Sequence, residues 1–162
     1  GIKSLNKYSI GIEITNPGHV YNYKNFSLKQ INSILKLTKF LIKKYKIQPQ
    51  NILGHSDIAP YRKKDPGEKF PWKYFSKYKI GIWYNLPKND LNLSNIEATS
   101  NEKKLFFRYL KKIGYCLKKK HSNYSNYIIK AFQRRYRPKI INGKIDKECF
   151  KIAKNLIKLG LN

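Results

Sequence analysis

His55 and Asp65 stand ten residues apart in a stretch, Asn51 to Trp72, that Pro60, Pro66, Gly67 and Pro71 punctuate as loop. An imidazole and a carboxylate held on such a loop are the ligand types of a catalytic zinc. Lys63, two residues before the carboxylate, adds a positive charge placed to stabilise an oxyanion as a tetrahedral intermediate forms. Two bland readings compete. Asp65 begins Asp-Pro-Gly, a turn in which Asp caps its own backbone, and a lysine in so basic a chain is ordinarily solvated surface. Asp57 is a second carboxylate beside His55, and its nearness in sequence assigns it to structuring the loop.

Glu13 is the other candidate for chemistry. It lies in Tyr8 to Asn16, where Ile10, Ile12 and Ile14 alternate with Gly11, Glu13 and Thr15. Period-two alternation predicts a strand with the isoleucines on one face and Glu13 on the other. A carboxylate there is either a solvated strand residue or a general base that activates water close to a metal. His19 and His121 read as surface histidines, His19 being near enough to that strand to line a cleft.

The elements that must position these groups follow from the hydrophobic pattern. Asn51 to Gly54 predicts a short buried strand that delivers His55 to its end. Ser27 to Lys46 predicts a helix, opened by the capping-box pair Ser27 and Gln30 and carrying Leu28, Ile31, Ile34, Leu35, Thr38, Leu41, Ile42 and Tyr45 at helical spacing. Pro71 opens a short helix to about Tyr78. Asn85 to Ser100 is polar and reads as a linker. Three further helices are predicted: Asn101 to Ile113, ended by Gly114; Asn123 to Arg137, ended by Pro138; and Asp146 to Leu159, ended by Gly160. Cys116 and Cys149 are too far apart for a metal pair and read as small buried hydrophobes.

The 162 residues carry a formal charge of +26, from 35 Lys+Arg against 9 Asp+Glu. Such a field favours encounter with any anionic surface. The lysines are nevertheless scattered rather than gathered on one element, and no nucleic-acid recognition motif accompanies them, so nucleic acid is not the expected partner. No apolar run is long enough to span a bilayer. The chain contains no Met and begins at Gly1, which reads as a processed or truncated piece.

Ser9-Ile-Gly-Ile-Glu-Ile-Thr-Asn-Pro-Gly-His19, Gly54-His-Ser-Asp-Ile-Ala-Pro60 and Lys64-Asp-Pro-Gly67 together resemble the zinc-dependent N-acetylmuramoyl-L-alanine amidases. The resemblance spans roughly Gly1 to Tyr84. Gly114-Tyr115, Ala131-Phe-Gln-Arg-Arg-Tyr-Arg-Pro138 and Gly143-Lys-Ile-Asp146 resemble a helical peptidoglycan-binding domain. The resemblance implies an α/β fold, a partial mixed β-sheet flanked by helices over 1–84, then a linker at 85–100 and a small three-helix bundle at 101–162. It implies His55 and Asp65 as zinc ligands, Glu13 as the catalytic glutamate and Lys63 as the basic residue that helps hold the transition state. The implied reaction is hydrolysis of the amide between N-acetylmuramic acid and the first L-alanine of the stem peptide.

The family's first zinc ligand, a His upstream of the Glu13 strand, has no counterpart here. The expectation is therefore an amidase whose present piece is inactive and poorly folded in its first half. The alternative is a non-catalytic peptidoglycan-binding protein of the same fold. By resemblance the partner is peptidoglycan or its muropeptides, the protein is a monomer, and its place is the periplasm or cell envelope, with the cytoplasm as the alternative.

Overall fold

The structure is a computed structural model and describes residues 4–117 and 123–159. His121 and the helix stop at Gly160 lie outside the described residues. Six α-helices follow in chain order: α1 (Leu28–Tyr45), α2 (His55–Ile58), α3 (Trp72–Ser76), α4 (Ser100–Ile113), α5 (Tyr124–Tyr136) and α6 (Lys147–Lys158). Short 3-10 turns occupy Leu5–Tyr8, Pro49–Asn51 and Lys88–Leu91.

The longer helices form where local chemistry specifies them. Ser27 accepts from the Gln30 N–H while Gln30 accepts from the Ser27 N–H, the reciprocal cap that opens α1. α4 starts at Ser100 because Thr99 and Glu102 form the same box, and it stops at Gly114, whose positive φ closes the last turn. Asp146 caps α6 through the Cys149 N–H.

The mixed β-sheet expected from the sequence does not form among the described residues. Among the described residues no strand forms, and the one β-bridge joins Glu97 to Asp146. Residues 9–17 are neither helix nor strand. Ile10 and Ile12 are exposed, and Ile14 alone of the three packs on a core. The expected strand at Asn51 to Gly54 is instead a 3-10 turn running into an unpaired stretch, with Leu53 exposed. The physical reason is that alternation sets which way side chains point, whereas a strand also needs a neighbour to take its N–H and C=O groups.

Two hydrophobic clusters organise the molecule. Phe26, Phe70, Trp72, Phe75 and Ile80 form one, against which Ile31, Ile34, Leu35 and Ile42 of α1 pack. The other joins α4, α5 and α6 through Phe106, Leu110, Ile128, Phe132, Ile152 and Leu156, each no more than 1% exposed. Burial of that depth contributes roughly 1.5–3 kcal/mol per side chain. The polar stretch 85–100 packs too: Leu86 and Leu91 lie on the helical core, and the Asn85 N–H and C=O are both bonded by the Asn155 side chain. α5 is buried more completely than its sequence pattern implies. Tyr127 is exposed, while Gln133, Arg134 and Arg135 are inside. Cys149 is buried in α6, but Cys116, just past α4, is exposed, and both are free thiols. No helix of the described residues is long and apolar enough to cross a membrane.

Candidate functional site

Gly54 leads into α2, so His55 opens a single helical turn instead of ending a strand. From there the chain passes through Ala59 and Pro60 and returns at Asp65, where the Asp65 C=O accepts from the Ser56 N–H at 2.9 Å. That backbone bond closes the ten-residue step and brings the two side chains together. His55 Nδ1 lies 3.0 Å from Asp65 Oδ2, with 39% and 58% of the side chains exposed. The spacing is that of a hydrogen bond. It is also near the roughly 3.3 Å separating two ligands of a tetrahedral ion with bonds of about 2.0 Å. An imidazole nitrogen and a carboxylate oxygen at this distance, both open to solvent, fit in type and spacing two positions of a zinc site. Among the described residues no third His, Cys, Asp or Glu completes a cluster with them.

Glu13 and Lys63 are not drawn into this pair by any bond. Glu13 is exposed in the unpaired N-terminal segment, Lys63 is half-buried after α2, and neither side chain holds a hydrogen bond or ion pair among the described residues. His19, expected at the surface, is tied to the loop: its Nε2 lies 2.9 Å from Glu68 Oε2, and its ring stands 4.5 Å from that of Tyr23.

Tyr23 fastens the far side of the loop. Its hydroxyl donates to the Pro66 C=O at 2.7 Å and accepts from the Lys69 N–H at 3.1 Å. Burial, with the Glu68 charge adding to it, pushes this phenol up to about 12, so it stays a donor at neutral pH. Gly67, at φ +86°, packs its bare Cα face on the same ring, where a Cβ would strike the hydroxyl. The Asp65–Pro66 peptide is cis. Burial alone would raise the Glu68 carboxyl, but the hydrogen bond with His19, its own N–H and the Arg134 charge outweigh it and hold the group below its ordinary 4.5.

Asp57 does structure the loop, and through partners the sequence did not disclose. Its Oδ2 accepts from the Gly54 N–H at 2.8 Å and from Arg135 Nη1, and its Oδ1 accepts from the Tyr115 hydroxyl at 2.7 Å. Arg135 Nη2 donates to the Ile52 C=O at 3.0 Å, and its guanidinium lies 4.0 Å from the centre of the Trp72 ring. Arg134 Nε lies 3.7 Å from Glu68 Oε2. The one signal for these residues was Arg-Arg amid an apolar helical stripe, which implies that both charges are paired inside.

Known proteins resemble this chain in sequence and in fold. Residues 1–68 match the family described as N-acetylmuramoyl-L-alanine amidase, and the chain is similar to proteins of that class over nearly all of its length. N-acetylmuramoyl-L-alanine amidase AmiD of Escherichia coli (strain K12) is 34% identical over 165 residues, 98% of this chain and 60% of that protein. The 1,6-anhydro-N-acetylmuramyl-L-alanine amidase AmpD of Haemophilus influenzae is 40% identical over 81 residues, 49% of this chain and 42% of that protein. Among solved structures, Escherichia coli AmiD with the substrate anhydro-N-acetylmuramic acid-L-Ala-D-gamma-Glu-L-Lys aligns at TM-score 0.85 and 33% identity, over 98% of this chain and 65% of that one. AmpDh3 of Pseudomonas aeruginosa in complex with anhydromuramic pentapeptide aligns at 0.71 and 27%, over 85% and 55%. The chain thus spans about three fifths of the length of AmiD.

Proposed function

We propose that this chain belongs to a peptidoglycan hydrolase that cleaves the amide bond between N-acetylmuramic acid and the L-alanine of the stem peptide, in turnover or recycling of the cell wall. The observation that carries the reading is the His55–Asp65 pair at 3.0 Å, inside the segment matched by the amidase family. The muropeptides held by the AmiD and AmpDh3 structures support the substrate class. In this reading His55 and Asp65 are two of the protein ligands of a zinc ion. When bound, such an ion polarises the scissile carbonyl and acidifies water. Lys63 steadies the negative charge developing on the carbonyl oxygen, and Glu13 carries a proton from water to the departing amine. The helical half holds glycan or stem peptide, and the protein works in the cell envelope.

The test is hydrolysis of an anhydro-N-acetylmuramyl tripeptide by the intact protein, with zinc supplied. His55→Ala and Asp65→Asn should each lower turnover by about 100-fold or more. Unaltered turnover in both variants refutes the ligand assignment. Muropeptide binding with no cleavage by the unsubstituted protein establishes the non-catalytic reading instead.

A further inference from the structure

The His55–Asp65 loop is held from two sides by side chains of the helical half. On one side Asp57, two residues beyond His55, is met by Arg135 of α5 and by Tyr115 from the segment after α4. On the other, Glu68, three residues beyond Asp65, is met by Arg134. Arg134 and Arg135 are neighbours on one helix, so a single element reaches both flanks of the pair. The Asp57 contact is the deeper: the side chains of Arg135 and Asp57 are 2% and 6% exposed. Arg135 also bonds the Ile52 C=O ahead of the loop and is walled by Trp72, while a Cβ on Gly81 would lie 2.9 Å from its Nη2. A planar guanidinium bonded to a carboxylate and a carbonyl at once has little freedom to turn.

We propose that Arg135 and Tyr115 are positioning residues for the His55–Asp65 pair. The helical half thus sets the geometry of the donor pair as well as any affinity of its own for ligand. The proposal rests on the preceding reading only in naming the pair as metal donors. The spacing it concerns is reported by the Ser56 N–H, which donates to the Asp65 C=O and closes the loop. Burial works against the charge on Arg135, but Tyr136, Asp57 and Tyr115 around it outweigh that and hold it above its ordinary value, so its guanidinium stays charged.

The experiment compares amide hydrogen exchange in the full chain and in Arg135→Met, Tyr115→Phe and Ile152→Val. The last shaves the helical core, where Ile152 is fully buried, without touching the clamp. Arg135→Met should speed exchange at Ser56 and Asp57 by about tenfold or more relative to the amides of α1, and Tyr115→Phe should do so by a smaller factor. Ile152→Val should leave that ratio unchanged. If Arg135→Met does not fold, Tyr115→Phe decides alone. Equal acceleration of all amides, or a ratio no different from that of Ile152→Val, overturns the proposal. Zinc affinity of the same variants, read by competition with a chromogenic chelator, should fall about 10- to 100-fold with the clamp. Should the unsubstituted chain bind no zinc, the amidase reading loses its metal, while the exchange ratio still decides the clamp.

Discussion

Glu68 shows how one side chain makes the loop sensitive to acid. Its carboxylate takes His19 on one side and faces Arg134 on the other, and its acidity is strengthened in the folded chain. A carboxyl whose folded value lies below its unfolded 4.5 binds fewer protons in the native state. Its stabilising contribution is complete above 4.5 and is lost as pH falls through the folded value. Unfolding free energy should therefore drop as pH falls below about 5, and Glu68→Gln should flatten that part of the curve. Denaturant titrations at a series of pH values measure it. An unchanged slope in the variant means that other carboxylates dominate. Tyr23 stays protonated throughout this range and holds the Pro66 carbonyl independently of it.

At the scale of elements, the loop between α2 and α3 is shaped by backbone as much as by side chains. Gly67 occupies a left-handed conformation against the Tyr23 ring, so Gly67→Ala meets both a strained φ and a blocked Cβ. It should cost about 1–3 kcal/mol and displace Tyr23 from Pro66. Thermal melts of the variant check the cost, and Tyr23→Phe, which loses only the hydroxyl bonds, should cost less, about 1 kcal/mol. The helices were legible in the sequence because their signals are local. Ser27 with Gln30, and the apolar positions of α4 and α6, lie within a few residues of one another. The sheet was not legible as absent, because the alternation of Ile10, Ile12 and Ile14 carries no information about a pairing partner. The partner of Arg135 was illegible for the same reason: Asp57 is 78 residues away. The His55–Asp65 pair was readable because a ten-residue step with Pro and Gly limits how the chain can return.

For the whole molecule, the dominant electrostatic fact is the +26 formal charge. Five of the nine acids are spent in specific contacts: Asp57 and Asp146 on buried arginines, Glu68 on His19, Glu97 on Lys103 and Asp90 on Lys151. Most of the remaining lysines face solvent and repel one another, which opposes the compact state. Salt shortens the reach of that repulsion from about 30 Å at 0.01 M to about 3 Å at 1 M. The melting temperature should therefore rise by several degrees between about 20 mM and about 0.5 M sodium chloride, and a fall would mean that the exposed ion pairs matter more than the repulsion. The two sulfurs of the chain have unequal fates. Cys149 is enclosed in α6, and burial, with Asp146 adding to it, pushes its thiol up to about 12, while Cys116 lies open. A maleimide dye at neutral pH should therefore attach once per folded chain and twice in urea. That single native attachment point lies one residue from Tyr115, so a fluorophore placed there reports directly on whether the two halves stay joined.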